Sequence, residues 1–139
     1  MSLVRWTEPH FKSDLTPVKV ERHDRRKARQ EALDAAYRAV EIRDKGICWV
    51  TGRHLTAGAI DPANRREHHH LVKRSQSKAL RERPMNIILV SALAHDLIER
   101  GWILIEGKRA DRPIFFHWHP DAKSRPLVIR RRNLHAETK

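Results

Sequence analysis

Three consecutive histidines, His68, His69 and His70, are followed by Asn86 at the head of an apolar run that ends at Val90, and then by His95 and Glu99. This order constrains the fold more than any other feature of the chain. His68–Val72 and Met85–Val90 read as short apolar-rich segments able to pair as antiparallel strands. Ser91 is placed to cap a short helix that reaches to about Arg100, where Gly101 stops it. On that helix His95 and Glu99 stand at i and i+4, on one face and about one turn apart, the spacing by which two side chains grip one metal ion. On a strand, neighbouring side chains point to opposite faces. His69 and His70 therefore cannot share one task, but can serve two across a twisted or bulged strand end.

The flanking segments complete an expected α+β architecture. From Arg22 to about Lys45 there is no Gly or Pro and helix formers dominate. Leu33, Tyr37 and Val40 fall at i, i+4 and i+7 and make one apolar stripe. Arg22, Arg25, Arg26, Lys27 and Arg29 crowd the first turns, where cations oppose the helix dipole; contact with an anionic partner and a simple solvated face are both open. Gly46 is placed to end this helix, and Thr51-Gly52 marks a turn. Lys73, Arg74, Lys78, Arg81 and Arg83 lie between the two short strands and predict an exposed basic loop or turn. Trp102–Ile105 and Ile114–Trp118 predict a second hairpin, and Arg130, Arg131 and Arg132 a basic end. Residues 1 to about 18, with Pro9 and Pro17, read as an irregular arm. The expected organisation is this arm (1–18), a basic helix with the histidine-bearing core (19–107), and a C-terminal hairpin and basic extension of the same domain (108–139).

Charge narrows the partner. The 139 residues carry 29 Lys+Arg against 17 Asp+Glu, a formal charge of +12. A field of that sign attracts polyanions, of which nucleic acid is the commonest in a cell; a solubility device or an acidic protein partner would also fit charge alone. Cys48 is the only cysteine, so neither an intramolecular disulfide nor a cysteine-built zinc site is expected. No apolar run approaches the roughly 20 residues that span a bilayer, and the start lacks a secretory pattern. The expectation is a soluble cytoplasmic protein with no membrane partner.

Glu67-His68-His69-His70-Leu71-Val72-Lys73-Arg74, then Asn86-Ile-Ile-Leu-Val90, then Ala94-His95-Asp96-Leu97-Ile98-Glu99, resembles the motif of the HNH endonucleases, whose core is a ββα-metal fold. The lead-in from Tyr37 through Gly46, Cys48 and Thr51-Gly52 is similar to that of phage and bacterial members, and the spacing to that of the nuclease domains of DNase colicins. The resemblance covers about residues 35–105. It implies that His69 and His95 are metal ligands, with Glu99 where many members place a third, usually histidine; a carboxylate suits harder cations. It implies further that His70 is the general base, that Asn86 orients this histidine through its ring nitrogen, and that Glu67 is an outer acid with an arginine as its candidate partner. A reading one place earlier, with His68 and His69 as the pair, is also open, but Leu71-Val72 directly after the last histidine favours His69 as ligand and His70 as base.

The chemistry asks for such a set. Phosphodiester hydrolysis needs an activated water and stabilisation of charge on the phosphate and leaving oxygen. A neutral imidazole, with an unperturbed pKa near 6.5, can take the water's proton at cellular pH. One divalent ion (Mg, Mn, Ni or Zn) held by two imidazoles and a carboxylate keeps open positions for the phosphate. The expected substrate is duplex DNA, gripped with low sequence specificity through Arg25, Arg26, the 73–83 segment and Arg130–Arg132. A partner protein or a homodimer would fit, since cutting both strands takes two actions.

One departure from the family stands out. Many members hold a structural zinc with two Cys-x-x-Cys pairs, and here those positions read Cys48, Thr51, Ser91 and Ala94. No structural zinc is expected; the turn would rest on packing by Ile47, Trp49, Val50 and Leu93, with Cys48 a buried small side chain. Two alternatives remain open at this point, a non-catalytic DNA-binding or assembly module on a degenerate scaffold, and an RNA-directed nuclease.

Overall fold

Pro17 opens the first helix, α1 (Pro17–Asp44), in a computed structural model that describes residues 17–130. Proline is favoured at a first helical position, where its missing N–H has no partner to lose. The expected irregular arm therefore gives way to helix at Pro17, and its remainder, 1–16, lies outside the described residues, as do Arg131 and Arg132. The chain divides into two compact units, 1–34 and 35–139, with the boundary inside α1. In the first, residues 20–32 are all exposed and Leu33 is buried. In the second, Ala36 and Val40 are buried and Tyr37 is packed beside them, which is the inward stripe expected of this helix.

Lys45 (φ 55°) and Gly46 (φ 73°) both adopt the left-handed conformation and turn the chain out of α1. The segment that follows doubles back on itself. Ile47 bridges His54, Cys48 N–H donates to Arg53 O at 2.9 Å, and Gly52 N–H donates to Cys48 O at 2.9 Å with Thr51-Gly52 at the tip. Cys48, Trp49 and Val50 are fully packed, while Ile47 and Leu93 are only half-buried. Cys48 sits as a small buried side chain whose Sγ accepts the Ser91 N–H at 3.4 Å.

Strands β1 (Arg66–His70) and β2 (Ile87–Ser91) form an antiparallel pair with His69 opposite Ile88 and Glu67 opposite Val90. β1 starts and stops two residues before the expected His68–Val72: Ala92 N–H reaches back to Arg65 O at its start, and past its end the Asn86 side chain takes both the N–H and the C=O of Val72. β2 starts two residues late, because Pro84–Asn86 forms a 3-10 turn. All five residues of β2 are buried, so this strand is the centre of the fold. Its second edge is filled by Trp49 N–H, which donates to Leu89 O at 2.9 Å, and by the Asp44 carboxylate, which accepts Leu89 N–H at 3.2 Å.

The short helix α2 (Ala92–Glu99) follows without a loop. Ser91 Oγ accepts the Ala94 N–H at 3.1 Å as its N-cap, and Gly101, at φ 80°, turns the chain out after it. Strands β3 (Ile103–Glu106) and β4 (Phe115–Trp118) make the second hairpin. The 108–139 segment thus supplies β4 to the same compact unit as the histidine-bearing elements. The architecture is mixed helix and sheet, two helices with two small antiparallel two-stranded sheets among the described residues. No described helix is long and apolar enough to cross a membrane.

Arg43 and Asp44 tie α1 to β2. Asp44 is buried and accepts from Arg43 Nε at 2.7 Å, and the same guanidinium donates to Pro84 O at 2.8 Å and Ile87 O at 2.6 Å while lying 5.5 Å over the Trp49 ring. Removing the carboxylate leaves the Leu89 N–H unpaired inside the core, which costs far more than losing an exposed ion pair. Asp44→Ala should therefore lower unfolding stability by about 2–3 kcal/mol in urea titration, whereas the exposed neighbour Ile42→Ala should stay within about 0.5 kcal/mol. Equal effects of the two substitutions would show that this clamp carries no special weight.

Candidate metal centre and its cleft

Strand alternation sorts the histidine run onto two faces. Glu67 and His69 point toward α2, where His95 and Glu99 meet them, while His68 and His70 point toward Tyr37. The expected one-face placement of His95 and Glu99 is realised on α2, with His95 Nε2 3.6 Å from Glu99 Oε1. His69 Nδ1 lies 3.5 Å from the same oxygen, and the His69 and His95 rings meet edge to face at 5.3 Å. One ligand atom from each of His69, His95 and Glu99 lies within 4.8 Å of the other two, a group able to hold a metal ion.

The donor chemistry fits a cation. Ligand atoms about 2.0–2.2 Å from one ion stand roughly 3–3.5 Å apart, so closure asks for about an ångström of movement, and the half-exposed Glu99 side chain is free to supply it. His69 Nδ1 is buried with no hydrogen-bond partner, a costly state for an imidazole nitrogen unless something electropositive meets it. Burial first, then the neighbouring His95, pushes the His69 pKa down to about 4. This ring is therefore neutral at pH 7, as a ligand must be. Glu67 Oε1 accepts from His95 Nδ1 at 2.7 Å, which fixes that ring's tautomer and turns the Nε2 lone pair toward Glu99. The expected arginine partner of Glu67 is Arg65, whose Nε stands 3.7 Å from Oε2.

His70 has its own anchor. Its Nε2–H donates to the Arg81 carbonyl at 2.9 Å, leaving Nδ1 without a proton in the neutral ring. Burial lowers its pKa, the Arg81 bond opposes that shift, and cationic Arg74 adds to it. The expectation that Asn86 orients His70 through a ring nitrogen is corrected. Asn86 is buried and bonds only backbone: Oδ1 accepts Val72 N–H at 2.7 Å, and Nδ2 donates to Val72 O at 3.0 Å and Leu80 O at 3.2 Å. It holds both ends of the 72–80 loop and so places the Arg81 carbonyl, acting on His70 at one remove. His68 does not join the group with His95 and Glu99, as the reading one place earlier asked of it. It stacks on Tyr37 with ring centroids 4.1 Å apart, lies 3.4 Å from Glu41, and has its pKa lowered chiefly by burial.

These groups open on one cleft of about 590 Å³, lined by His69, His70, His95 and Glu99 together with Tyr37, Lys73 and Arg74. Of the basic residues expected to grip a polyanion, Lys73 and Arg74 border this cleft, and Lys78 and Arg83 are exposed on the same loop. Arg81 is half-buried with Nε unpartnered among the described residues, and Arg130 lies along Gly52 rather than in the cleft. Arg25 and Arg26 are exposed on the 1–34 unit. Sequence reasoning missed Tyr37 as a cleft wall and Glu41 as the partner of Arg66 and His68, although their i, i+4 spacing on α1 was a usable signal. No pattern announces the Arg81 carbonyl, since any residue offers one. In comparisons with known proteins, the chain matches no family model, no curated protein and no solved structure.

Two measurements follow on the metal-free protein. His69 binds a proton near pH 6.5 when unfolded and near pH 4 when folded, so acid favours the unfolded chain. Stability should fall by about 2–3 kcal/mol as pH drops from about 6.5 through 4, and His69→Gln should flatten that slope. In calorimetric titration with Zn2+ or Ni2+, Glu67→Ala should weaken binding by about 10- to 100-fold, and Glu99→Ala by more. Unchanged affinity in Glu99→Ala removes it from the ligand set.

Proposed function

We propose that this chain is a metal-dependent HNH endonuclease with a ββα-metal core, hydrolysing phosphodiester bonds of DNA. The observation that carries the reading is the convergence of His69, His95 and Glu99 on one point, with the separately anchored His70 lining the same basic cleft. Two imidazoles and a carboxylate would hold one divalent ion, which would supply positive charge to the phosphate and the leaving oxygen.

The remaining steps belong to the protein's own groups. His70 Nδ1 accepts the proton of the attacking water, and the Arg81 carbonyl holds the opposite N–H, so the ring presents one tautomer and gains stabilisation as it becomes cationic. The lowered pKa keeps this base unprotonated at neutral pH. Lys73 and Arg74 meet the backbone phosphates at the cleft wall, a contact that falls with salt and carries little sequence information. Glu67 keeps His95 in its ligand tautomer. The joint presence of ligands, base and tautomer-fixing partners supports catalysis over a purely binding role, because binding alone requires none of them.

Incubation of supercoiled plasmid with the protein and Mg2+, Mn2+, Ni2+ or Zn2+ tests the reading. Nicking should depend on metal and fall by about a hundredfold to ten-thousandfold in His70→Ala, with a matched RNA cut more slowly than DNA. Nicking that persists in EDTA, or survives His70→Ala, would falsify it.

A further inference from the structure

Alternation along β3 and β4 turns Ile103, Ile105, Phe116 and Trp118 toward the core. The opposite face carries Leu104 across from His117 and Glu106 across from Phe115, with Trp102 and His119 one step beyond. His119 N–H donates to Trp102 O at 2.8 Å, and the two rings meet edge to face at 6.2 Å. Trp102 is 40% exposed and Phe115 47% exposed. Two large aromatic side chains and two imidazoles thus face outward on one rigid ribbon, which is more than scattered surface apolarity.

We propose that this outer face is a stacking platform for unpaired bases of single-stranded nucleic acid. Charge selects that occupant. A second copy of the chain carries the same net charge of +12 and is repelled, whereas a single strand brings both π-faces and phosphates. The turn at the hairpin's tip supplies exposed Lys108 and Arg112, while Arg109 is held by Asp111 at 2.6 Å. Two acids border the face, Glu106 at 3.9 Å from His117 Nδ1 and Asp121 at 3.9 Å from His119 Nδ1.

The platform also starts beside the metal group. Trp102 follows Glu99 by three residues, and its N–H donates to Leu97 O at 2.9 Å, so the face begins where α2 ends. The inference takes a nucleic-acid partner from the proposed function and none of its chemistry.

Fluorescence anisotropy in EDTA, with labelled oligothymidylate and a duplex of equal length, tests it without cleavage. Trp102→Ala should weaken single-strand binding by about tenfold, with duplex affinity held within about twofold by backbone contacts. Phe115→Ala, at the other end of the ribbon, should behave alike and carries the test should Trp102→Ala fail to fold. With the metal withheld, binding is read apart from nicking, and Ile42→Ala, exposed on α1, should bind both ligands as the parent does. Unchanged single-strand affinity in both platform variants overturns the proposal, as does an equal loss on both ligands. A parent dimer in sedimentation that Trp102→Ala dissolves would assign the face to self-association instead.

Discussion

Slipping β1 by one residue against β2 would carry His69 to the Tyr37 face and bring His68 or His70 to the α2 face. The register of this one ladder therefore decides which imidazole meets His95 and Glu99 and which is left to act beside them. Several independent contacts hold it. Ala92 N–H donates to Arg65 O at one end of the pair and Leu71 N–H donates to Asn86 O at the other. β2 itself is pinned along its second edge by Trp49, by the buried Asp44 carboxylate and by the Cys48 sulfur. A strand buried on all five residues and paired along both edges has no alternative position to adopt.

The same alternation separates two electrostatic settings a few ångströms apart. On the α2 side, burial and a second imidazole keep His69 neutral, and a carboxylate below His95 and another above it make the pocket receptive to a cation. On the Tyr37 side, His70 keeps one nitrogen on a carbonyl and the other unprotonated, under the influence of Arg74 rather than of an acid. Two adjacent residues of one strand acquire different proton chemistry from their surroundings alone, with no difference in side-chain type.

Much of this was legible in the sequence, and what was not has a physical reason. The short helix followed from Ser91, Gly101 and the i, i+4 pair, features whose meaning is local. The opposed faces of His69 and His70 followed from strand periodicity. The strand ends did not, since Leu71-Val72 has the composition of a strand, and only a distant side chain, Asn86, takes both backbone groups of Val72. Asn86 was expected beside His70, but its partners are backbone groups, which carry no residue label. Asp44 illustrates the same limit. At the end of a charged helix it reads as one more solvated acid, and only tertiary packing makes it the partner of Arg43 and Leu89.

Thr51, Ser91 and Ala94, the positions where the resemblance looked for thiols, make ordinary contacts. Ser91 spends its side chain capping α2 and its N–H on the Cys48 sulfur, so one residue links the doubled-back turn, β2 and the helix that bears His95. Ala94 is fully buried in the core beside Cys48, Trp49 and Val50, and Thr51 Oγ1 accepts the Arg53 N–H at 3.3 Å within the turn. Close packing of this kind is as intolerant of displacement as a coordination sphere, because removing even a methylene leaves a void that its neighbours cannot fill. The position of α2, and with it the spacing between His69 and His95, accordingly rests on the steric fit of Cys48, Trp49, Val50 and Ala94 around a single capping serine.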